Sequence, residues 1–259
     1  MIHPIPGIRG AQAYLFKSDE GTIVIDPGYT GSYRAVLRFM ASIGLDASAL
    51  DWVLLTHHHI DHAGTAFALC QATGARLALH EADAPYLRVG RPRERMTIWG
   101  LADRLPAWLA GYVVSCASCD VRMLADDETI AGLTVIHAPG HTPGSIALWS
   151  EAESALFTGD ILNNERGLRT PPWTVNHTHR QARIAPERLR GLRFERAFFG
   201  HGPAIMEAAD QRLDAFLNRT ASAGSFHRLP EARSRAGGQA SAPNPPGAAA
   251  AAGEHRTAG

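Results

Sequence analysis

A sandwich of two β-sheets covered by helices is the fold this sequence predicts, and three observations carry the prediction. Short apolar runs of strand length recur between turn residues. Stretches with helical spacing separate them. The same order also appears twice: one strand ends in Asp26-Pro27-Gly28, a later one ends in Gly159-Asp160, and each half reads as strands followed by a helix. At 259 residues the chain is long enough to bury the core such a sandwich needs.

The elements follow in order. Ala13 to Phe16 and Thr22 to Ile25 are apolar runs split by a polar turn at residues 18–21. Val36, Leu37, Phe39, Met40 and Ile43 repeat at helical spacing, so a helix is expected over 32–43, with Ser32 as N-cap and Gly44 as its stop. Trp52 to Leu55 reads as a buried strand running into His57-His58-His59-Ile60-Asp61-His62. Next come a helix over 63–72 and a strand over 76–79. Residues 83–112 break this rhythm. Ile98, Leu101, Leu105, Trp108, Leu109 and Tyr112 recur every three or four residues, which predicts amphipathic helices there. Strands resume at 133–136, 146–149, 155–157 and 197–199, and a helix is expected over 204–217. From about residue 220 the chain turns to Ala, Gly, Pro, Ser and Arg. Such a composition buries too little apolar surface to offset ordering entropy, so the expected domain is 1–219 and 220–259 an unstructured tail.

Composition narrows the function. Apolar residues make up 45% and charged residues 19%, close to globular averages. The 25 basic and 25 acidic residues cancel, and a nucleic-acid binder would show a basic excess, so no nucleic-acid partner is expected. No run approaches the ~20 apolar residues of a membrane span. The N-terminus has no charged region leading into an apolar one. A cytoplasmic protein without membrane contact is therefore expected. Three cysteines, Cys70, Cys116 and Cys119, offer no disulfide framework.

The chemistry is concentrated in residues 57–62. In extended chain, side chains at i and i+2 point the same way, so His57 and His59 can reach one metal ion together. Asp61 and His62 follow where the chain must turn before Gly64, and can face a second position close by. Imidazole suits zinc, iron, nickel or copper, and carboxylate widens the choice to harder ions. Three further candidates stand at strand ends: His141 in Pro139-Gly140-His141-Thr142, Asp160 after Gly159, and His201 between Gly200 and Gly202. Their glycines permit positive φ and the close backbone approach a crowded metal shell needs.

This HxHxDH motif, followed by GH, GD and GH at strand ends, resembles the metallo-β-lactamase superfamily over roughly residues 10–215. The resemblance implies a four-layer αββα fold of two mixed sheets flanked by helices, in the α/β class. It implies two zinc ions per chain, with iron or manganese as alternatives. His57, His59 and His141 would hold the first ion, and Asp61, His62 and His201 the second. Asp160 would bridge them, and Asp26 would support the loop without touching metal. Aspartate rather than cysteine at position 160 is similar to the glyoxalase II-like and lactonase-like branches, not to the β-lactamases proper.

Two divalent ions ~3.5–4 Å apart can hold a bridging hydroxide that attacks a carbonyl. The implied activity is hydrolysis of a small thioester, ester or lactone, with Asp61 orienting the nucleophile and taking its proton. Alternatives are a mononuclear iron sulfur dioxygenase on the same scaffold, or a phosphodiesterase. A small-molecule substrate is the partner expected, and oligomeric state is not legible. The remaining histidines have plainer readings: His58 as a spacer, His137 as a packing residue, and His177 and His179 as a solvent-facing loop pair. Trp99, Trp108 and Trp173 are candidate pocket walls or core residues, and the resemblance implies that 83–112 either overhangs the site or simply packs on the sandwich.

Overall fold

The computed structural model describes residues 1–88 and 120–222. Eleven strands among them form two sheets. The first comprises β1 (Ile2–Pro4), β2 (Tyr14–Ser18), β3 (Gly21–Ile25), β4 (Trp52–Leu54), β5 (Arg76–His80) and β6 (Val121–Leu124), in that spatial order. The β1–β2–β3 pairs are antiparallel, and β3 to β6 run parallel. The second sheet has the order β11-β10-β9-β8-β7, from β7 (Thr129–Ile130), β8 (Leu133–His137), β9 (Ile146–Ser150), β10 (Ala155–Phe157) and β11 (Arg196–Phe198). Only β10 and β11 pair in parallel there. Both sheets are thus mixed.

Alternation along the strands builds the layers. Tyr14, Phe16, Ile23, Ile25, Trp52 and Leu54 point from the first sheet into a core shared with Leu133, Val135, Ile146, Leu148, Phe157 and Phe198 of the second. Their neighbours Leu15, Val24, Val53, Leu77 and Leu79 point the other way, onto α1 (Tyr33–Ser42) and α3 (Ala66–Thr73) through Val36, Met40, Leu69 and Cys70. Behind the second sheet, Ile136, Ala147, Leu156 and Phe199 meet Leu189 and the Leu213, Phe216 and Leu217 face of α6 (Ala209–Ser222). The result is the four-layer αββα sandwich with two mixed sheets. No helix among the described residues is long and apolar enough to cross a membrane.

Several local expectations are corrected. Ser32 precedes α1, but its side chain makes no capping bond. Thr65 Oγ1 takes the Tyr33 N–H instead, at 3.2 Å. The helix expected over 63–72 is two helices, α2 (Ile60–Ala63) and α3. They break at Thr65, whose N–H goes to Gly28 O at 3.0 Å rather than along a helix. The helix expected from 204 begins at Ala209, because Ile205 pairs both ways with Ala197 along β11, at 2.8 and 2.9 Å. It continues to Ser222, past the expected boundary at 219. Strands β1, β6 and β7 lacked a legible apolar run. His179 opens a short helix, α5 (His179–Ile184), rather than lying in a loop. Of the insert expected over 83–112, only residues 83–88, which include the short α4 (Ala84–Arg88), are described. Trp99, Trp108, Cys116 and Cys119 lie outside the described residues, as does 223–259.

Candidate metal centre

The site forms where strand ends of both sheets meet. Just beyond β3, Asp26 takes a left-handed turn, with φ of 50°, that aims its carboxylate at the chain leaving β4. Its Oδ1 accepts the Thr56 N–H at 2.8 Å, and its Oδ2 accepts the Thr56 hydroxyl at 2.6 Å. With that hydroxyl proton committed, Thr56 Oγ1 can only accept from His57 Nδ1, 3.1 Å away. His57 Nε2 is thereby left as a bare lone pair. Asp26 Oδ2 also takes Nδ1–H of His62 at 2.8 Å, and Asn176 Oδ1 accepts from Nδ1 of His141 at 2.9 Å. Three imidazoles are thus oriented from behind, which fixes both ring angle and tautomer.

The chain turns into α2 after His59, which places Asp61 and His62 on the first helical turn. His57, His59 and His141 rings lie 4.5–4.7 Å apart, centre to centre. One ligand atom from each lies within 4.8 Å of the others, and the same holds for Asp61, His62 and His201. Asp160 stands between these groups. Its Oδ2 is 3.5 Å from Nε2 of both His141 and His201, and its Oδ1 is 3.5 Å from Nε2 of His62. His201 Nε2 lies 3.2 Å from Asp61 Oδ2. All seven residues singled out in the sequence therefore converge on one place.

Glycine is required beside His201. A Cβ on Gly200 would sit 2.4 Å from Asp160 Oδ1 and 2.7 Å from His62 Cε1. Gly159, at φ of 49°, faces the Thr56 side chain at 2.5 Å in the same way.

Five atoms at the centre are buried without a hydrogen-bond partner: Nε2 of His57, His59, His62 and His141, and Oδ1 of Asp160. Buried polar atoms are ordinarily paired. A cluster of imidazole nitrogens and a carboxylate oxygen facing one another has the ligand types of a divalent cation site.

The electrostatics agree. Burial, then the neighbouring imidazoles, hold His57 and His59 well below the usual histidine range, so both rings are neutral. Burial also lowers His141. For His62, burial works against charge, but the carboxylates of Asp26, Asp160 and Asp61 outweigh it and hold the ring up at about 10. Burial pushes Asp61 up as well, yet the bond from His201 and the charge of His62 leave it below the carboxylate range.

His58 is no part of the cluster. Its ring stacks on Tyr86 at 4.4 Å, with Nδ1 3.0 Å from Asp83 Oδ2. His137 is half-buried and stacks on His80 at 3.8 Å. His177 is exposed, but its N–H donates to His141 O at 2.9 Å, so its segment braces the site. Trp173, on that segment, is 60% exposed. Sequence reasoning missed Thr56, Asp83 and Asn176. The signal available for two of them was position: Thr56 precedes the histidine run directly, and Asp83 follows β5 on the same sheet edge as Asp26.

The family model described as "Metallo-beta-lactamase superfamily" matches residues 6–201, a span that holds all seven clustered residues. The chain belongs to the metallo-β-lactamase superfamily. Among curated relatives, the acyl-coenzyme A thioesterase MBLAC2 of Bos taurus is 32% identical over 171 residues, covering 59% of this chain and 58% of that protein. The hydroxyacylglutathione hydrolase of Bdellovibrio bacteriovorus is 33% identical over 154 residues, covering 58% of this chain and 48% of that protein. This superfamily member thus spans about half the length of those two relatives. Among solved structures, the metallo-β-lactamase family protein TTHA1429 of Thermus thermophilus superposes with a TM-score of 0.65 at 23% identity, covering 85% of this chain and 79% of that one. TTHA1623 in a di-iron-bound form gives 0.57 at 27% identity, covering 83% and 99%.

Proposed function

We propose that this superfamily member is a hydrolase of small thioesters, esters or lactones that works with two zinc ions. The observation that carries the reading is the set of five unpartnered buried donor atoms, four imidazole nitrogens and one carboxylate oxygen, turned toward one another. His57, His59 and His141 would hold one ion, Asp61, His62 and His201 the other, with Asp160 reaching both. Bound there, two divalent ions supply Lewis acidity and bring the pKa of a water down toward 7.

The protein's own groups do the rest. His57, His59 and His141 offer neutral nitrogens without prior loss of a proton. His62 is charged in the metal-free chain and must release its Nε2 proton when a cation enters. Asp61 is the more open of the two cluster carboxylates, its side chain 23% exposed, and it stays ionised. It is placed to orient an incoming water and to accept its proton, as general-base catalysis requires. The thioester preference is supported by the activities for which two relatives are named, an acyl-coenzyme A thioesterase and a hydroxyacylglutathione hydrolase.

The experiment is elemental analysis of protein purified without chelator, followed by a panel of chromogenic thioesters, esters, lactones and phosphodiesters. About two zinc ions per chain and turnover of a carbonyl substrate are expected. Absence of any bound transition metal after zinc supplementation would sink the proposal. A second reading, iron in the same ligands, has one observation in its favour, the di-iron form of a relative at 27% identity. The same elemental analysis separates it from zinc.

A further inference from the structure

Asp83 lies outside the ligand set, yet it is fully buried and its carboxylate is divided between two loops. On one side, Oδ2 accepts the main-chain N–H of His58 at 2.9 Å and stands 3.0 Å from His58 Nδ1. On the other, Oδ2 accepts the Thr142 hydroxyl at 2.8 Å and Oδ1 accepts the Gly144 N–H at 2.6 Å. His58 is the residue between His57 and His59. Thr142 directly follows His141. One carboxylate therefore ties together the backbone segments that carry His57, His59 and His141.

We propose that Asp83 is a positioning residue that latches the His58 loop to the Thr142–Gly144 loop and so sets the spacing of the three-histidine metal group. The inference rests on the metal-centre reading above. Its physical content is the donor count. Two main-chain N–H groups and one hydroxyl, drawn from two separate loops, converge on one anionic side chain. Asparagine at this position presents one acceptor oxygen and two N–H donors, so its amide N–H groups confront either the Gly144 N–H or, with the amide flipped, the His58 N–H and the Thr142 hydroxyl. The His58 side chain, set between His59 and Tyr86, then belongs to the latch rather than to the ligands. Asp61, His62 and His201 are not reached by these bonds, so the effect should be confined to one metal group.

The test compares the wild-type chain with Asp83→Asn and Thr142→Val by competitive zinc titration and by the visible absorption of the cobalt-substituted proteins. Thr142→Val removes one latch contact from the His141 side and guards against Asp83→Asn failing to fold. The expected result is a zinc affinity weakened 10–100-fold for one ion of the pair in Asp83→Asn. Thr142→Val should show a smaller loss at the same ion. In both, the cobalt bands of the three-histidine site should be altered while those of the other ion persist. Two ions bound with wild-type affinity and unchanged cobalt bands in both variants overturns the latch. Equal weakening of both ions overturns it too, in favour of a general packing role. A wild-type chain that binds no metal overturns instead the reading on which the latch rests.

Discussion

Asp26 Oδ2 lies 2.8 Å from Nδ1 of His62, on the side of the ring away from the cluster, and takes the Thr56 hydroxyl on the same oxygen. That one atom orients His62 directly and His57 through Thr56. In the proposed assignment the two imidazoles hold different ions, so one residue outside the ligand set would govern both. Asp26→Asn should therefore weaken both ions, by 10–100-fold in affinity, without removing a ligand. Zinc titration checks this, and an effect on one ion alone would exclude the shared role.

Asp160→Ala should leave the sandwich folded but abolish most activity and one bound metal ion. Its two oxygens reach His141, His201 and His62 at 3.5 Å, so its loss opens the middle of the cluster. Elemental analysis on folded variant protein is the check. Two ions retained with full activity would show that Asp160 does not connect the groups.

Gly200→Ala asks for room that is not there, since the new Cβ would lie 2.4 Å from Asp160 Oδ1 and 2.7 Å from His62 Cε1. Metal content should fall and Tm with it, although no ligand is changed. Circular dichroism on heating, with metal analysis on the same sample, reads both effects.

The metal-free protein should be most stable near neutral pH. His57, His59 and His141 have folded values below the ordinary one, so the unfolded chain binds more protons. Their depression costs stability as pH falls through about 6.5. His62 has the opposite sign. Its folded value of about 10 gives stability that is complete below about 6.5 and is lost as pH rises toward 10. Tm of chelator-treated protein measured from pH 5 to 10 should pass through a maximum, and a steady rise across that range would contradict the His62 assignment.

Away from the site, Phe157→Ala should cost about 3–5 kcal/mol. The ring is buried between the sheets, edge-on to Tyr14 at 5.5 Å and stacked on Phe198 at 5.0 Å. Chemical denaturation of the metal-free protein measures it.

The sequence made the metal cluster legible because its residue types are dense and few other roles call for them. Histidines and aspartates at strand ends, with glycines beside His141, Asp160 and His201, read directly. The strands with unbroken apolar runs, such as β3, β4 and β10, were equally plain. What escaped were groups whose role comes from a distant partner. Asp83 is an ordinary residue until Thr142 and Gly144 fold back onto it from 59 and 61 positions away. Asn176 means nothing until His141 stands against it. Thr65 breaks a helix because Gly28 and Tyr33 claim its polar groups. Such long-range claims on a side chain leave no periodicity to read.

The cluster draws its ligands from residue 57 to residue 201 and from the edges of both sheets. An ion can therefore be gripped at full strength only by a chain whose two halves have already docked, and it rewards no half-finished intermediate. Release in turn demands that the sheets part or the loops spread. Metal loading should accordingly slow unfolding far more than it speeds folding, so ions bound there would act as a late lock on the closed sandwich rather than as a seed for it.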